Sequence, residues 1–160
     1  MEWQMGWLEP LAATPVARLL ITSSTAYLLV NAAHIISIGV MFGAILALDL
    51  LILGQGRGIP LAVVAPYLSR LAGWGLGFTV VTGLWLFSVR PTEYAQNPAF
   101  LIKLGLIALG LANISILHFG RGWRKVLSGE APPMAVRIGA TASILIWLSV
   151  ILAGRWIGFL

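Results

Sequence analysis

Residues 97–120 read NPAFLIKLGLIALGLANISILHFG. An asparagine and a proline open the stretch, and from there to His118 the only ionisable side chain is Lys103. An apolar run of about 20 residues is what an α-helix needs to cross the hydrocarbon core of a bilayer. Three further stretches meet the same requirement, at roughly 26–53, 67–88 and 135–158. In lipid each crossing segment has to satisfy its own backbone hydrogen bonds, which a helix does and an isolated strand does not. The sequence therefore predicts an all-α fold, a transmembrane four-helix bundle. Composition agrees: the 160 residues are 59% hydrophobic and 9% charged, with a mean hydropathy of +0.96, too few polar groups to coat a water-soluble globule.

The same composition removes several kinds of chemistry. There is no cysteine, which excludes disulfides, thiolate metal sites and cysteine nucleophiles. The net charge of +5 comes from Lys and Arg beside the predicted spans and not from a separate basic domain, so it points to lipid headgroups and topology and not to nucleic acid. No serine-nucleophile motif, paired catalytic carboxylates, phosphate-cradling loop or H-E-x-x-H zinc helix is present. The glycines of GWGLG, residues 73–77, fall inside the second span and follow no strand, so they carry no dinucleotide signal.

Residues 1–25 lack the basic start, unbroken apolar run and small-residue cleavage site of a secretory signal. Trp3, Trp7, Glu9, Pro10 and Pro15 ahead of a short apolar run suggest a helical segment lying in the interface. Residues 26–160 then form the transmembrane domain. Arg57, Arg70, Arg121, Arg124, Lys125 and Arg137 flank one end of the spans, while Arg18, Arg90 and Arg155 share the other end with Glu2, Glu9 and Glu93. That bias places both termini outside, in the periplasm of a bacterial inner membrane. Asn97 and Pro98 are placed as cap and first residue of the third span. Gly39 and Gly43 make one G-x-x-x-G step and Gly73 and Gly77 another, expected to let neighbouring helices approach closely.

Polar residues inside the spans form two levels. The first and third spans run in the same direction, so depth along them is comparable. His34 and Lys103 lie at roughly 12 and 8 Å from the outer end. Asp49 follows His34 by fifteen residues and His118 follows Lys103 by fifteen, roughly 22 Å further along each helix. Asp49 is the only acid within a span, so Asp49 and His118 are expected to satisfy each other as a structural polar pair near the inner interface.

The outer level has no such internal solution. His34 and Lys103 cannot neutralise each other, and the nearest further charges by topology, Arg90 and Arg155, are also basic. A low-dielectric site lined by cations calls for an anion from elsewhere, and haem b meets the requirement: His34 as iron ligand, with Lys103, Arg155 and Arg90 on the propionates. The plainer alternatives are a Lys103 whose stem lifts the ammonium to the interface, a neutral His34 bonded to a carbonyl or to a hydroxyl such as that of Ser37, and an Arg155 that with Trp156 anchors the helix end. His34 and His118 stand roughly 20 Å apart in depth, so they do not clamp one iron between them. Met41, two turns below His34 on the same helix, cannot supply the second ligand either.

Three stretches, AHIISIGVMFGAILALDLLILG, NPAFLIKLGLIALGLANISILHFG and SILIWLSVILAGRWIGF, resemble an uncharacterised bacterial family of four-helix inner-membrane proteins along nearly the whole chain. More distantly, the histidine early in the first span and the FLIKL opening of the third resemble the membrane-bound haem-containing protoporphyrinogen oxidases and, more loosely, the copper-resistance D family. In the oxidases the corresponding histidine ligates haem and the lysine is functionally important, which the resemblance transfers to His34 and Lys103. The chain departs from that pattern at His118, about one turn later than the oxidases' third-helix histidine, and at Asp49, where the oxidases tend to be basic.

The leading expectation is thus an integral b-type haem protein serving electron transfer or a haem-dependent oxidation with a redox partner. A non-catalytic membrane subunit or scaffold, assembling with itself or with partner membrane proteins through its glycine steps, is the second. A small-solute or metal-ion transporter is the third, and the spans lack the paired broken helices and midplane charges such transporters commonly use.

Overall fold

A computed structural model describes residues 6–56 and 58–159; Glu2, Trp3 and Arg57, named above, lie outside the described residues. Every regular element among them is helical. Two short helices, α1 (Glu9–Ala12) and α2 (Pro15–Thr22), lead into the first span, α3 (Ser24–Ile52). The second span, α4 (Leu61–Phe87), is followed by the short α5 (Pro91–Gln96), the third span α6 (Pro98–Phe119), the short α7 (Arg121–Leu127) and the fourth span α8 (Met134–Trp156), which a 3₁₀ turn extends to Phe159. The four long helices are long and apolar enough to cross a membrane, and the chain is an all-α, multi-pass membrane protein.

The helix starts follow from side-chain caps. Asn97 accepts from the Ala99 and Phe100 amides at 2.9 and 3.3 Å, with Pro98 in the first turn where no amide is needed. Ser23 accepts from the Ala26 amide at 3.2 Å and Thr14 from that of Ala17 at 3.3 Å. One boundary differs from the sequence reading: α4 begins at Leu61 and continues through Pro66. The reason is tertiary. Ala65 is fully buried against Trp123 and Val126 of α7, in a cluster that also holds Leu48, Ile52 and Val136. Packing of that extra turn on α7 outweighs the amide hydrogen bond that a proline inside a helix forfeits.

Residues 9–22 are anchored to the bundle. Ala17 and Leu20 are buried, α2 packs on α3 and α4, and Trp85 donates from Nε1 to the Val16 carbonyl at 2.8 Å. Trp7, by contrast, is exposed.

The spans stand in the order α4, α3, α8, α6, each antiparallel to its neighbour. The α3–α4 contact is the most extensive and α6–α8 the next, while α4 and α6 scarcely meet. A second core cluster of Met41, Ile45, Trp147 and Val150 lies between them. Residues such as Val63, Trp74 and Ile116 are exposed on the outside of the bundle, as lipid-facing positions should be. The row is open on one side, and α7 closes the end of that opening against α4, α6 and α8.

The glycine steps do not make the close approaches expected of them. Gly39, Gly43, Gly73 and Gly77 have open space where a side chain would begin. The tight crossings fall at other glycines. A methyl group on Gly75 would lie 2.7 Å from the Met41 backbone nitrogen, and one on Gly110 would lie 3.0 Å from the Trp147 ring. On α4 the face that meets α3 carries Gly75 and not Gly73 or Gly77.

Candidate functional site

Two polar levels exist, at opposite ends of the bundle. At the end that carries both termini, the His34 ring of α3 lies over Gly83 of α4, where any Cβ would come 3.1 Å from the imidazole Cε1. A larger residue there would require the ring to shift by a few tenths of an ångström. His34 Nδ1 is 2.8 Å from the Thr82 hydroxyl, and that hydroxyl donates its single proton to the Phe78 carbonyl at 2.7 Å. With that proton on Phe78, Thr82 accepts from Nδ1–H and the neutral ring carries its lone pair on Nε2; the other tautomer has Thr82 donating to Nδ1. The Ser37 hydroxyl, considered above as a partner of the ring, instead donates to the His34 carbonyl at 2.8 Å and accepts from Thr79 at 3.0 Å.

Lys103 of α6 is half-buried, its ammonium near Gly154 of α8, with no hydrogen-bond or ion-pair partner among the described residues. The two arginines expected to join them are engaged elsewhere. Arg90 pairs with Glu93 at 3.2 Å, both side chains exposed, and Arg155 lies over the Phe159 ring with 4.8 Å to the centroid. Their separation from the inner pair has a simple cause. Both sit at helix ends, where the guanidinium reaches water or an aromatic face at less cost than the bundle interior. Arg90 and Glu93 instead border a groove of ≈ 1020 Å³ with Tyr27, Tyr94 and Asn97. Burial, then the neighbouring Tyr27, push the Tyr94 phenol above its usual range, so it remains a hydrogen-bond donor there.

Tested against haem b, the donor set fits in part. His34 offers an imidazole whose Nδ1 is held by Thr82 and whose Nε2 has no hydrogen-bond partner among the described residues, an arrangement that suits an axial ligand. Lys103 offers one cation to a propionate. Arg90 and Arg155 are committed to other partners, so the residues that fit the group are His34 and Lys103.

At the opposite end, Asp49 and His118 line one cavity but do not form the direct pair expected of them. His118 Nδ1 donates to the Ile114 carbonyl at 3.1 Å, its Nε2 accepts from Ser69 at 3.2 Å, and its ring packs on Trp123 with centroids 4.3 Å apart. The imidazole is thus satisfied within α6 and α4, and Asp49 is left beside Ser143 with its Oδ2 unpartnered. Sequence reasoning missed Thr82, Gly83, Ser69 and Ser143. Their only sequence signal is small or hydroxyl-bearing character inside apolar runs, which helices in membranes also use for ordinary packing.

No curated protein and no solved structure matches the chain. Residues 21–160, which include all four spans, match a family described as a family of unknown function, DUF6644. The chain belongs to that family.

Proposed function

We propose that this protein binds b-type haem in the membrane, through His34 as axial ligand and Lys103 as the partner of a propionate. The observation that carries the reading is the 2.8 Å contact between His34 Nδ1 and the Thr82 hydroxyl, which suits a ring that keeps its proton on Nδ1 and offers Nε2 to iron. The resemblance of the early histidine and of FLIKL to haem-containing membrane oxidases supports the same assignment. Haem bound there would supply one-electron redox chemistry. The chain's own part is to hold the imidazole over Gly83, to keep its proton on Nδ1 and to place one positive charge near the anionic edge. The deciding experiment is the absorption spectrum of the purified protein with and without His34.

The location of charge supports a bacterial inner-membrane protein with both termini in the periplasm. Arg121, Arg124, Lys125 and Arg137 flank the end opposite the termini, against a single acid there, Glu130, among the described residues. Because the chain has no cysteine, single cysteines introduced at Ser128 and at Gln96 report sidedness directly. In intact cells a membrane-impermeant maleimide is expected to label the cysteine at 96 and to spare the one at 128, and the reverse pattern refutes the orientation.

A second reading rests on Gly39 and Gly43, which have open space around them on α3. Such a step suits close approach of a second copy of this chain, as in a membrane subunit that self-assembles. Under it, Gly39→Leu and Gly43→Leu leave the monomer folded and abolish the dimer band after cross-linking in native membranes. A dimer that persists in both variants removes this face from consideration.

A further inference from the structure

At the end of the bundle opposite the termini, α3, α4, α6, α7 and α8 surround a cavity of ≈ 130 Å³. Most of its wall is aliphatic, with the Trp123 ring on one side; the polar atoms belong to Asp49, Ser69, His118 and Ser143. Asp49 is 4% exposed, and its Oδ2 has no hydrogen-bond partner. A carboxyl oxygen buried at membrane depth without a partner is costly and marks a functional position by default. Ser143 hydrogen-bonds the carboxyl but leaves Oδ2 without a partner, and both nitrogens of His118 are already used by Ile114 and Ser69.

The cavity also has a route to lipid. Apart from the His118–Ser69 hydrogen bond, α4 and α6 scarcely touch, and among the lining residues Gly73 of α4 and Leu111 of α6 are both exposed. Gly73 has only open space where a side chain would begin. A metal ion is a poor guest. Hard cations take six or so oxygen ligands, and no cluster of three or more His, Cys, Asp or Glu side chains exists among the described residues. The chamber asks for a flat, mostly apolar body, soluble in the bilayer, with an oxygen at its edge able to share a hydrogen bond with a carboxyl group.

We propose that this cavity binds the head group of a lipid-soluble quinone or hydroquinone, which passes between α4 and α6 beside Gly73, hydrogen-bonds through one ring oxygen to Asp49 and lies against the aliphatic wall. A hydroquinone hydroxyl donates to the Asp49 carboxylate, and a quinone carbonyl accepts from the protonated carboxyl; either gives Oδ2 the partner it lacks. Trp123, already packed on the His118 ring, adds apolar surface to the same wall. The inference goes beyond haem binding and does not depend on it.

Radiolabelled decylubiquinone, titrated into nanodiscs holding the full-length protein and into empty nanodiscs, tests the proposal. The expected result is saturable retention of one quinone per chain above the empty-disc background, weakened at least about tenfold by Asp49→Leu, which removes the hydrogen bond, and by Gly73→Leu, which fills the opening. Gly77→Leu, with the same added bulk one turn along the same open side of α4, should bind as wild type. Because Gly73 lies in open space, its variant should keep the wild-type circular dichroism and melting profile, so loss of binding there is not loss of fold. Non-saturable uptake equal to that of empty discs overturns the proposal, since the cavity would then hold only water. Undiminished saturable binding in either the Asp49 or the Gly73 variant overturns it as well.

Discussion

His34→Ala is expected to yield a colourless protein from cells whose wild-type version purifies with a reducible haem band. The effect should be near complete, because the imidazole is the one protein ligand that the proposed site offers to iron and alanine has no donor. Thr82→Val gives the more discriminating result. Valine keeps the shape of the side chain but removes the oxygen that accepts from Nδ1 at 2.8 Å, so the ring loses the partner that sets its tautomer and orientation. Losing such a supporting hydrogen bond typically costs about 10–100-fold in affinity at a metal site. Lys103→Gln should weaken haem retention without removing the band, since it deletes a charge partner and not the ligand. Colourless wild-type protein from haem-replete cells, or a His34→Ala protein that retains the full band, refutes the assignment. A purely structural His34 would give a different pattern, with the alanine variant melting earlier and no spectral signature in any of the proteins.

The fold was legible because a bilayer leaves few options. Once four apolar stretches of spanning length are found, helices follow from backbone satisfaction alone, and Asn97 and Pro98 mark the start of α6 to the residue. The start of α4 was not legible, because the spanning run was counted from residue 67, just after Pro66, whereas the burial of Ala65 under Trp123 and Val126 is a contact between segments more than 50 residues apart. The site was half legible for a related reason. Depth can be counted along a helix, so His34 and Lys103 at one level and Asp49 and His118 at the other follow from rise per residue. Partners cannot be counted that way. His118 turns to Ser69 on α4 and to its own Ile114 carbonyl, and Arg90 turns outward to Glu93, because each choice is set by rotation about the helix axis and by which neighbour stands there. Matching depth and opposite charge predict that Asp49 and His118 satisfy each other; they line one cavity, but a serine reaches the imidazole instead.

The glycines provide the sharpest test of the packing, because neighbouring positions on one helix carry opposite expectations. Gly75 lies against the α3 backbone. An alanine methyl there would sit 2.7, 2.8 and 2.9 Å from the nitrogen, Cα and Cβ of Met41. Backbone cannot swing aside as the tip of a flexible side chain can, so the α3–α4 pair, the most extensive contact in the bundle, must separate along this crossing. Gly75→Ala should destabilise the protein by about 1–3 kcal/mol, the usual cost of overpacking a well-packed core, and Gly75→Val by more. Water drives little of the association between helices inside a bilayer, so lost van der Waals contact is not recovered by burying apolar surface elsewhere. Gly77→Ala on the same helix meets nothing within 4 Å, and the gain in helix propensity, about 1 kcal/mol, should leave it as stable as wild type or more so. Unfolding of the three purified variants in one detergent, followed by circular dichroism against added SDS, separates these outcomes. If Gly75→Ala unfolds at the same SDS fraction as Gly77→Ala, the α3–α4 crossing is not at Gly75. The seat of His34 on Gly83, which depends on the same pairing of helices, would then have to move with it.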